Sequence, residues 1–282
     1  MRNAAVIVVL SLIASTWVSA QQTPNFRTIV EKRLSLKGKN HVDLSTICAI
    51  DTDPVAERVF RDYGAVFVSN GVMTPPNCVL DSESAVQVFQ AATAHDTASV
   101  GGVTVTLQKA ALKAYLEARA EALKSGLAIT PRGGSEASTR SYSRTVDLWK
   151  SRFVPGLAHW KQKRRITKAE AAEAARAPIR EQVEMVLAWE KKGIYFSTDF
   201  SKSILYSVAI PGASQHCFML ALDVEQFANK QVRQIMAMYG WFQTVKSDLP
   251  HFTYLGVKES DLPSLGLTPV TIGGQKFWIP NM

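Results

Sequence analysis

Residues 211–224, PGASQHCFMLALDV, form an apolar segment that contains two polar residues, His216 and Asp223. Burial of a neutral polar group without a hydrogen-bond partner costs roughly 2–7 kcal/mol, and burial of a charge costs more. The run LALDV predicts a buried β-strand, and we expect His216 on the extended segment before it. Both polar residues therefore need partners, which the rest of the chain must supply.

A metal ion is one such partner. A catalytic zinc ion takes three nitrogen or oxygen ligands and keeps one position open for water. His216, Asp223 and His251 supply such a set. Asp248 lies close to the last of these in the sequence and is then available as a general base. A hydrogen-bonded core histidine is the alternative interpretation, and the remaining histidines are expected to be surface or packing residues: His41, His95 and His159.

Patterns elsewhere in the chain predict an α+β fold, an antiparallel sheet with helices around it. Apolar residues at helical spacing indicate a helix over 107–126, and a second helix is expected to end before Pro155. Thr167 and Glu170 predict a capping box at the start of a third helix. The other expected elements are a short strand in 127–134, strands over 203–210 and 220–224, a helix over 224–240 and a hairpin over 269–279.

Residues 1–20 have the pattern of a secretory signal peptide. Arg2 precedes an apolar run that ends in the small residues of a signal-peptidase site. We expect cleavage near Ala20, a secreted or periplasmic protein, and no stable membrane span afterwards. The rest of the chain is predicted to divide into an N-terminal region, 21–101, and a larger domain, 102–282, with a helical insertion at about 155–195.

Charge and cysteine content agree with export. The formal net charge of +8 suits an anionic surface such as a cell wall or membrane headgroups. The lysines and arginines are scattered, which argues against nucleic acid as a partner. In an oxidising compartment Cys48 and Cys78 are candidates for a disulfide, and Cys217 is expected to be a buried free thiol.

The segment SQHCFMLALD resembles a known signature. It is similar to the Ser-x-His-x-x-Gly-x-Ala-x-Asp motif of D-alanyl-D-alanine carboxypeptidases of the vancomycin-resistance type, which are zinc peptidases. Four residues match this motif: Ser214, His216, Ala221 and Asp223. Met219 stands in place of the glycine.

Two further blocks extend the resemblance. The segment YGWFQTVKSDLPHF is similar to an aromatic-flanked Glu-x-x-His block of that family, with His251 in the ligand position and Asp248 in place of the glutamate. Upstream, a helix, a glycine and a short strand precede Arg132, where the family has an arginine that binds the substrate carboxylate. Arg140, in TRSYSRT, is the alternative for that role.

The resemblance implies a Hedgehog/D,D-peptidase-like fold and a zinc ion held by the two histidines and Asp223. It implies that Asp248 is the general base and that Ser214 and one of the two arginines contact the substrate. The implied function is an exported zinc metallopeptidase that hydrolyses the terminal D-alanyl-D-alanine bond of peptidoglycan stem peptides. A peptidoglycan endopeptidase of the same fold and a non-catalytic cell-wall-binding module are the alternatives.

Overall fold

The computed structural model describes residues 23–36 and 42–282. The predicted signal peptide and His41 lie outside these residues. Within them, helices are combined with small antiparallel sheets, which confirms the predicted α+β class. The described helices are all too short or too polar to cross a membrane.

The helices are α1 (Phe26–Ser35), α2 (Leu44–Ile47), α3 (Pro54–Tyr63), α4 (Glu83–Ala92), α5 (Lys109–Lys124), α6 (Tyr142–Gln162), α7 (Lys168–Arg176), α8 (Ile179–Glu190) and α9 (Lys230–Met238). The strands are β1 (His95–Val100), β2 (Val103–Gln108), β3 (Ala221–Asp223), β4 (Trp241–Phe242), β5 (His251–Tyr254), β6 (Leu267–Ile272) and β7 (Gln275–Pro280). Strands β1 and β2 form one hairpin, β6 and β7 form another, and the third sheet has the order β3-β5-β4.

The sheet β3-β5-β4 brings two of the predicted metal ligands together. Strands β3 and β5 are antiparallel, and Asp223 lies directly opposite His251. Side chains of directly opposed residues project from the same face of a sheet and lie close together. The two residues are therefore neighbours in space although they are far apart in the sequence.

Several local predictions are confirmed. Strand β3 lies within LALDV, and β6 and β7 form the predicted closing hairpin. Helix α5 is followed by Gly126, whose φ of 68° suits the end of a helix. At the start of α7, Thr167 accepts a hydrogen bond from the Glu170 N–H, and the Glu170 carboxylate accepts one from the Thr167 N–H. Residues 155–195 are mostly helical, as expected.

The prediction that a helix ends before Pro155 is wrong, because α6 continues through this residue to Gln162. A proline inside a helix removes one hydrogen bond to the carbonyl group four residues earlier, here that of Ser151. Arg152 Nη1 donates a hydrogen bond to that carbonyl oxygen at 3.4 Å, and the exposed position of Ser151 also admits water. The next residue, Gly156, is buried against the ring of Phe196, and this packing favours continuation of the helix.

Three other local predictions are corrected by the structure. Residues 203–210 contain a 3-10 turn, Ile204–Tyr206, instead of a strand. The short strand expected in 127–134 is reduced to a single bridge between Pro131 and Val224. Helix α9 begins at Lys230 rather than Val224, because the Asn229 side chain caps it by accepting hydrogen bonds from the next turn.

The segments on either side of the expected boundary at 101/102 share one hydrophobic core. The boundary itself falls in the turn between β1 and β2. The Ser69 hydroxyl donates to the Tyr254 carbonyl oxygen at 2.9 Å, and the Asn70 N–H donates to the Leu255 carbonyl oxygen at 2.8 Å. A disulfide joins Cys48 to Cys78, whose Cα atoms are 5.1 Å apart. The N-terminal region therefore packs directly against the strand that carries His251.

Candidate metal centre

His216 lies in a short 3-10 helix, Gln215–Phe218, rather than on the extended segment expected from the sequence. Cys217 is in the same turn, with a buried free thiol. Met219 follows with φ 54° and ψ 34°, the left-handed conformation that glycine adopts most readily. A residue with a side chain adopts this conformation at a cost of about 1–2 kcal/mol.

Side-chain amides from two other elements hold this turn. Gln90 of α4 donates a hydrogen bond to the Cys217 carbonyl oxygen at 3.1 Å. Gln108 of β2 donates to the Phe218 carbonyl oxygen at 2.9 Å. Buried carbonyl groups need such partners, and these two are supplied by residues distant in the sequence. The position of His216 therefore depends on tertiary contacts more than on the local apolar pattern.

The three predicted ligands form one buried cluster. His216 Nε2 and His251 Nδ1 are 3.1 Å apart. Each of these nitrogens lies 3.4 Å from Asp223 Oδ1. The side chains of His216, Asp223 and His251 thus present three donor atoms to one point.

These distances are compatible with tetrahedral coordination of one ion. Ligand atoms that lie 2.0–2.2 Å from zinc at the tetrahedral angle are about 3.3–3.6 Å from one another. Asp223 Oδ1 is buried and accepts no hydrogen bond from a described residue. A hydrogen bond between the two imidazoles, the alternative interpretation, leaves this oxygen unsatisfied, whereas a cation between the three atoms satisfies it. The cluster can therefore hold a metal ion.

The second oxygen of Asp223 has a different partner. Arg140 donates to Asp223 Oδ2 at 2.7 Å. Burial favours the protonated form of Asp223, but its interactions with His216 and His251 outweigh this effect and hold its pKa well below the usual range. Burial also lowers the pKa of His216 to about 4, and the charge of Arg140 adds to this shift. At neutral pH the site therefore contains a carboxylate and a neutral His216, the forms that bind a metal.

The second ring nitrogen of His251, Nε2, also has a hydrogen-bond partner. His251 Nε2 lies 2.8 Å from Gln215 Oε1. Gln215 Nε2 donates in turn to the Tyr63 carbonyl oxygen at 2.9 Å. His216 has no such support, because its Nδ1 is buried without a hydrogen-bond partner among the described residues.

A cavity of about 220 Å³ opens beside the cluster and is lined by both histidines. Asp248 and Ser214 also line it, so these two predicted site residues share the cavity with His216 and His251. Burial raises the pKa of Asp248, and the nearby Asp223 adds to this effect, while His251 opposes it. A raised pKa makes a carboxylate a better proton acceptor near neutral pH.

The arginines occupy different places. Arg132 lies with its guanidinium over the ring of Phe227 and 3.5 Å from Glu225, and it does not line the cavity. Arg140 lines the cavity but is paired with Asp223. Arg152 of α6 also lines it, and its buried Nε has no hydrogen-bond partner among the described residues.

Sequence reasoning did not identify Arg152, Gln215 or Tyr63 as site residues. Arg152 lies on a helix among other charged residues, and nothing in its spacing separates it from them. Gln215 is adjacent to His216, and this adjacency is the one signal that points to it. Their roles depend on which elements pack together.

Comparisons with known proteins do not extend this assignment. No protein-family model matches the chain, and no curated protein or solved structure is significantly similar to it. The candidate metal centre therefore stands on its geometry and on the motif resemblance.

Proposed function

We propose that the chain is an exported zinc peptidase that releases the terminal D-alanine from peptidoglycan stem peptides. The observation that carries the proposal is the convergence of His216, Asp223 and His251 around an otherwise unsatisfied buried oxygen. The acid Asp248 beside this cluster, the basic net charge and the three motif blocks support the same conclusion.

Bound at the three ligands, zinc supplies a Lewis acid for a carbonyl group and for water. Asp248 accepts one proton from the attacking water and then transfers it to the nitrogen of the departing D-alanine. The peptide C–N bond breaks, and a carboxylate and an amine are the products. The raised pKa of Asp248, caused chiefly by burial, suits a group that must accept and then return a proton.

Arg152 is the best candidate to bind the terminal carboxylate of the substrate. Its guanidinium lines the cavity, and its hydrogen bonds within the described residues go to Ser151 of its own helix. Arg140 is the second candidate, but Asp223 already occupies one of its donors. A guanidinium can bind a carboxylate through two parallel hydrogen bonds, which fixes the orientation of the substrate terminus.

The test combines metal content with product release. Mature protein from residue 21 is loaded with zinc, freed of excess metal and incubated with a pentapeptide that ends in D-alanyl-D-alanine. We expect one zinc per chain and free D-alanine. His251→Ala is expected to lose both, whereas His95→Ala, which removes an exposed histidine of β1, is expected to keep both.

The outcomes separate the alternatives. Zinc binding with cleavage of internal or cross-linked stem-peptide bonds, but without release of D-alanine, would make the chain an endopeptidase. Zinc binding and cell-wall binding without any cleavage would favour the non-catalytic module. Absence of zinc binding by the wild-type protein would overturn the proposal.

A further inference from the structure

The carboxamide of Gln215 lies between a predicted metal ligand and the N-terminal region. Its Oε1 is 2.8 Å from His251 Nε2, and its Nε2 is 2.9 Å from the Tyr63 carbonyl oxygen. Gln215 itself is fully buried. Both ends of the amide are therefore used inside the protein.

The Tyr63 carbonyl group fixes which way the amide points. A carbonyl oxygen only accepts hydrogen bonds, so the amide nitrogen of Gln215 must face it and the amide oxygen must face His251. The Thr253 hydroxyl is compatible with this orientation, because a hydroxyl can donate to the same oxygen. The Thr253 hydroxyl is also 2.6 Å from the Thr244 hydroxyl, so the Gln215 amide belongs to a buried hydrogen-bond network.

This orientation determines the tautomer of His251. An acceptor at Gln215 Oε1 requires the proton on Nε2, and in the neutral ring Nδ1 is then a bare acceptor. Nδ1 is the atom that faces His216 Nε2 and Asp223 Oδ1. Metal ligation by histidine requires a bare nitrogen, and hydrogen bonds to the other nitrogen commonly select it.

We propose that Gln215 is a positioning residue that fixes His251 as the Nε2–H tautomer, and that the N-terminal region helps to build the metal centre through the Tyr63 carbonyl group. The effect of Gln215 on metal binding rests on the proposed function. The tautomer of His251 does not, because it is a property of the metal-free chain. His216 provides an internal contrast, because no described residue hydrogen-bonds its Nδ1.

The first experiment needs no variant. Imidazole nitrogen NMR of the metal-free mature protein at neutral pH is expected to show His251 with its proton on Nε2. A His251 with the proton on Nδ1 would overturn the inference, whatever the protein does with zinc.

The second experiment compares two matched substitutions, Gln215→Met and Gln90→Met. Gln215 lies in the turn, and Gln90 donates to the Cys217 carbonyl oxygen of the turn and to the Arg140 carbonyl oxygen, but only Gln215 contacts His251. Loss of a hydrogen bond behind a metal ligand typically weakens metal binding about 10–100-fold. Gln215→Met is expected to show this loss in chelator competition and a mixed His251 tautomer, whereas Gln90→Met keeps the Nε2–H tautomer and binds zinc more tightly than Gln215→Met.

The conservative variant Gln215→Glu retains an acceptor for His251 and is expected to restore the Nε2–H tautomer. Equal losses of zinc affinity in Gln215→Met and Gln90→Met, with the His251 tautomer unchanged in both, would reduce Gln215 to a structural residue and overturn the inference. A wild-type protein that binds no zinc but shows the Nε2–H tautomer would overturn the proposed function and leave the positioning role of Gln215 supported.

Discussion

Asp223 and Glu190 are both buried carboxylates, 9% and 8% exposed, in two regions that use them differently. Glu190, at the end of α8, accepts a hydrogen bond from the Ile204 N–H at 2.6 Å and interacts with Ser203 and Arg58. Asp223 has one oxygen bound by Arg140 and another without a hydrogen bond. The first acid completes the backbone of a turn, whereas the second has an oxygen left for a ligand.

The pKa shifts of the two acids have opposite signs. Burial raises the pKa of Glu190, and its hydrogen bonds do not fully compensate. For Asp223 the two histidines outweigh burial and hold the pKa well below the usual range. The histidine and arginine partners of Asp223 therefore favour its anion, which is the form a cation binds. Burial alone does not distinguish a structural carboxylate from a candidate metal ligand, whereas the hydrogen bonds made by its two oxygens do.

The largest expected effect comes from exchange of the carboxylate at the cluster. Asp223→Asn removes the negative charge between the two histidines and is expected to weaken zinc binding by more than the roughly 10–100-fold typical of residues behind the ligands. Glu190→Gln, the matched substitution in the other region, is expected to leave zinc affinity unchanged. Chelator competition on both variants measures this difference. Equal affinities in the two variants would abolish the distinction between the two acids.

The next effect concerns Arg152, whose guanidinium lines the same cavity and forms no ion pair with a described acid. Arg152→Gln is expected to lower kcat/KM about 10–150-fold on a substrate ending in D-alanyl-D-alanine, since a hydrogen bond to a charged group contributes roughly 1.5–3 kcal/mol. A substrate whose terminus is amidated has no carboxylate to lose, and for it the variant and wild type should be similar. Arg144→Gln, in the same helix but paired with Glu136, is the control. Equal losses on both substrates would assign Arg152 to packing.

The membership of the cluster was more predictable from sequence than its local backbone. The residue types of His216, Asp223 and His251 predict a set that could hold a metal ion, and the register of β3 and β5 places two of them opposite each other. The sequence predicts an extended segment at His216, because an apolar run with one polar residue resembles a buried strand. Its carbonyl groups are satisfied by Gln90 and Gln108, and no local pattern reveals these partners.

The same distinction applies to the fold. Helix α5, the capping box of α7 and the hairpin β6–β7 follow from local periodicity and turn residues, and these were predictable. The continuation of α6 through Pro155 depends on the packing of Gly156 against Phe196. The turn at Ile204 depends on a hydrogen bond to Glu190. Both features rest on contacts between distant residues, which a single sequence does not display.

A smaller effect is expected at Met219, beside His216, where the backbone has the left-handed conformation. At an ordinary position alanine is more stable than glycine, but a φ of 54° reverses the order. Met219→Gly is therefore expected to be about 1 kcal/mol more stable than Met219→Ala, with the loss of the buried methionine side chain common to both. Urea unfolding measures the difference. A more stable alanine variant would show that the left-handed conformation is not maintained in solution.

The last prediction returns to Glu190 and concerns pH. Because burial raises its pKa above the ordinary 4.5, the stability that this carboxyl group contributes is fully present below that pH and is lost as the pH rises through the higher folded-state value. Glu190→Gln carries no titratable group at this position. The melting temperature of the variant minus that of the wild type should therefore increase between pH 4 and pH 8. Subtraction of the two curves removes the titration of all other groups. If this difference in melting temperature decreases with pH, Arg58 and the Ile204 N–H stabilise the Glu190 anion. The two buried acids would then differ only in that Asp223 has an oxygen without a hydrogen bond.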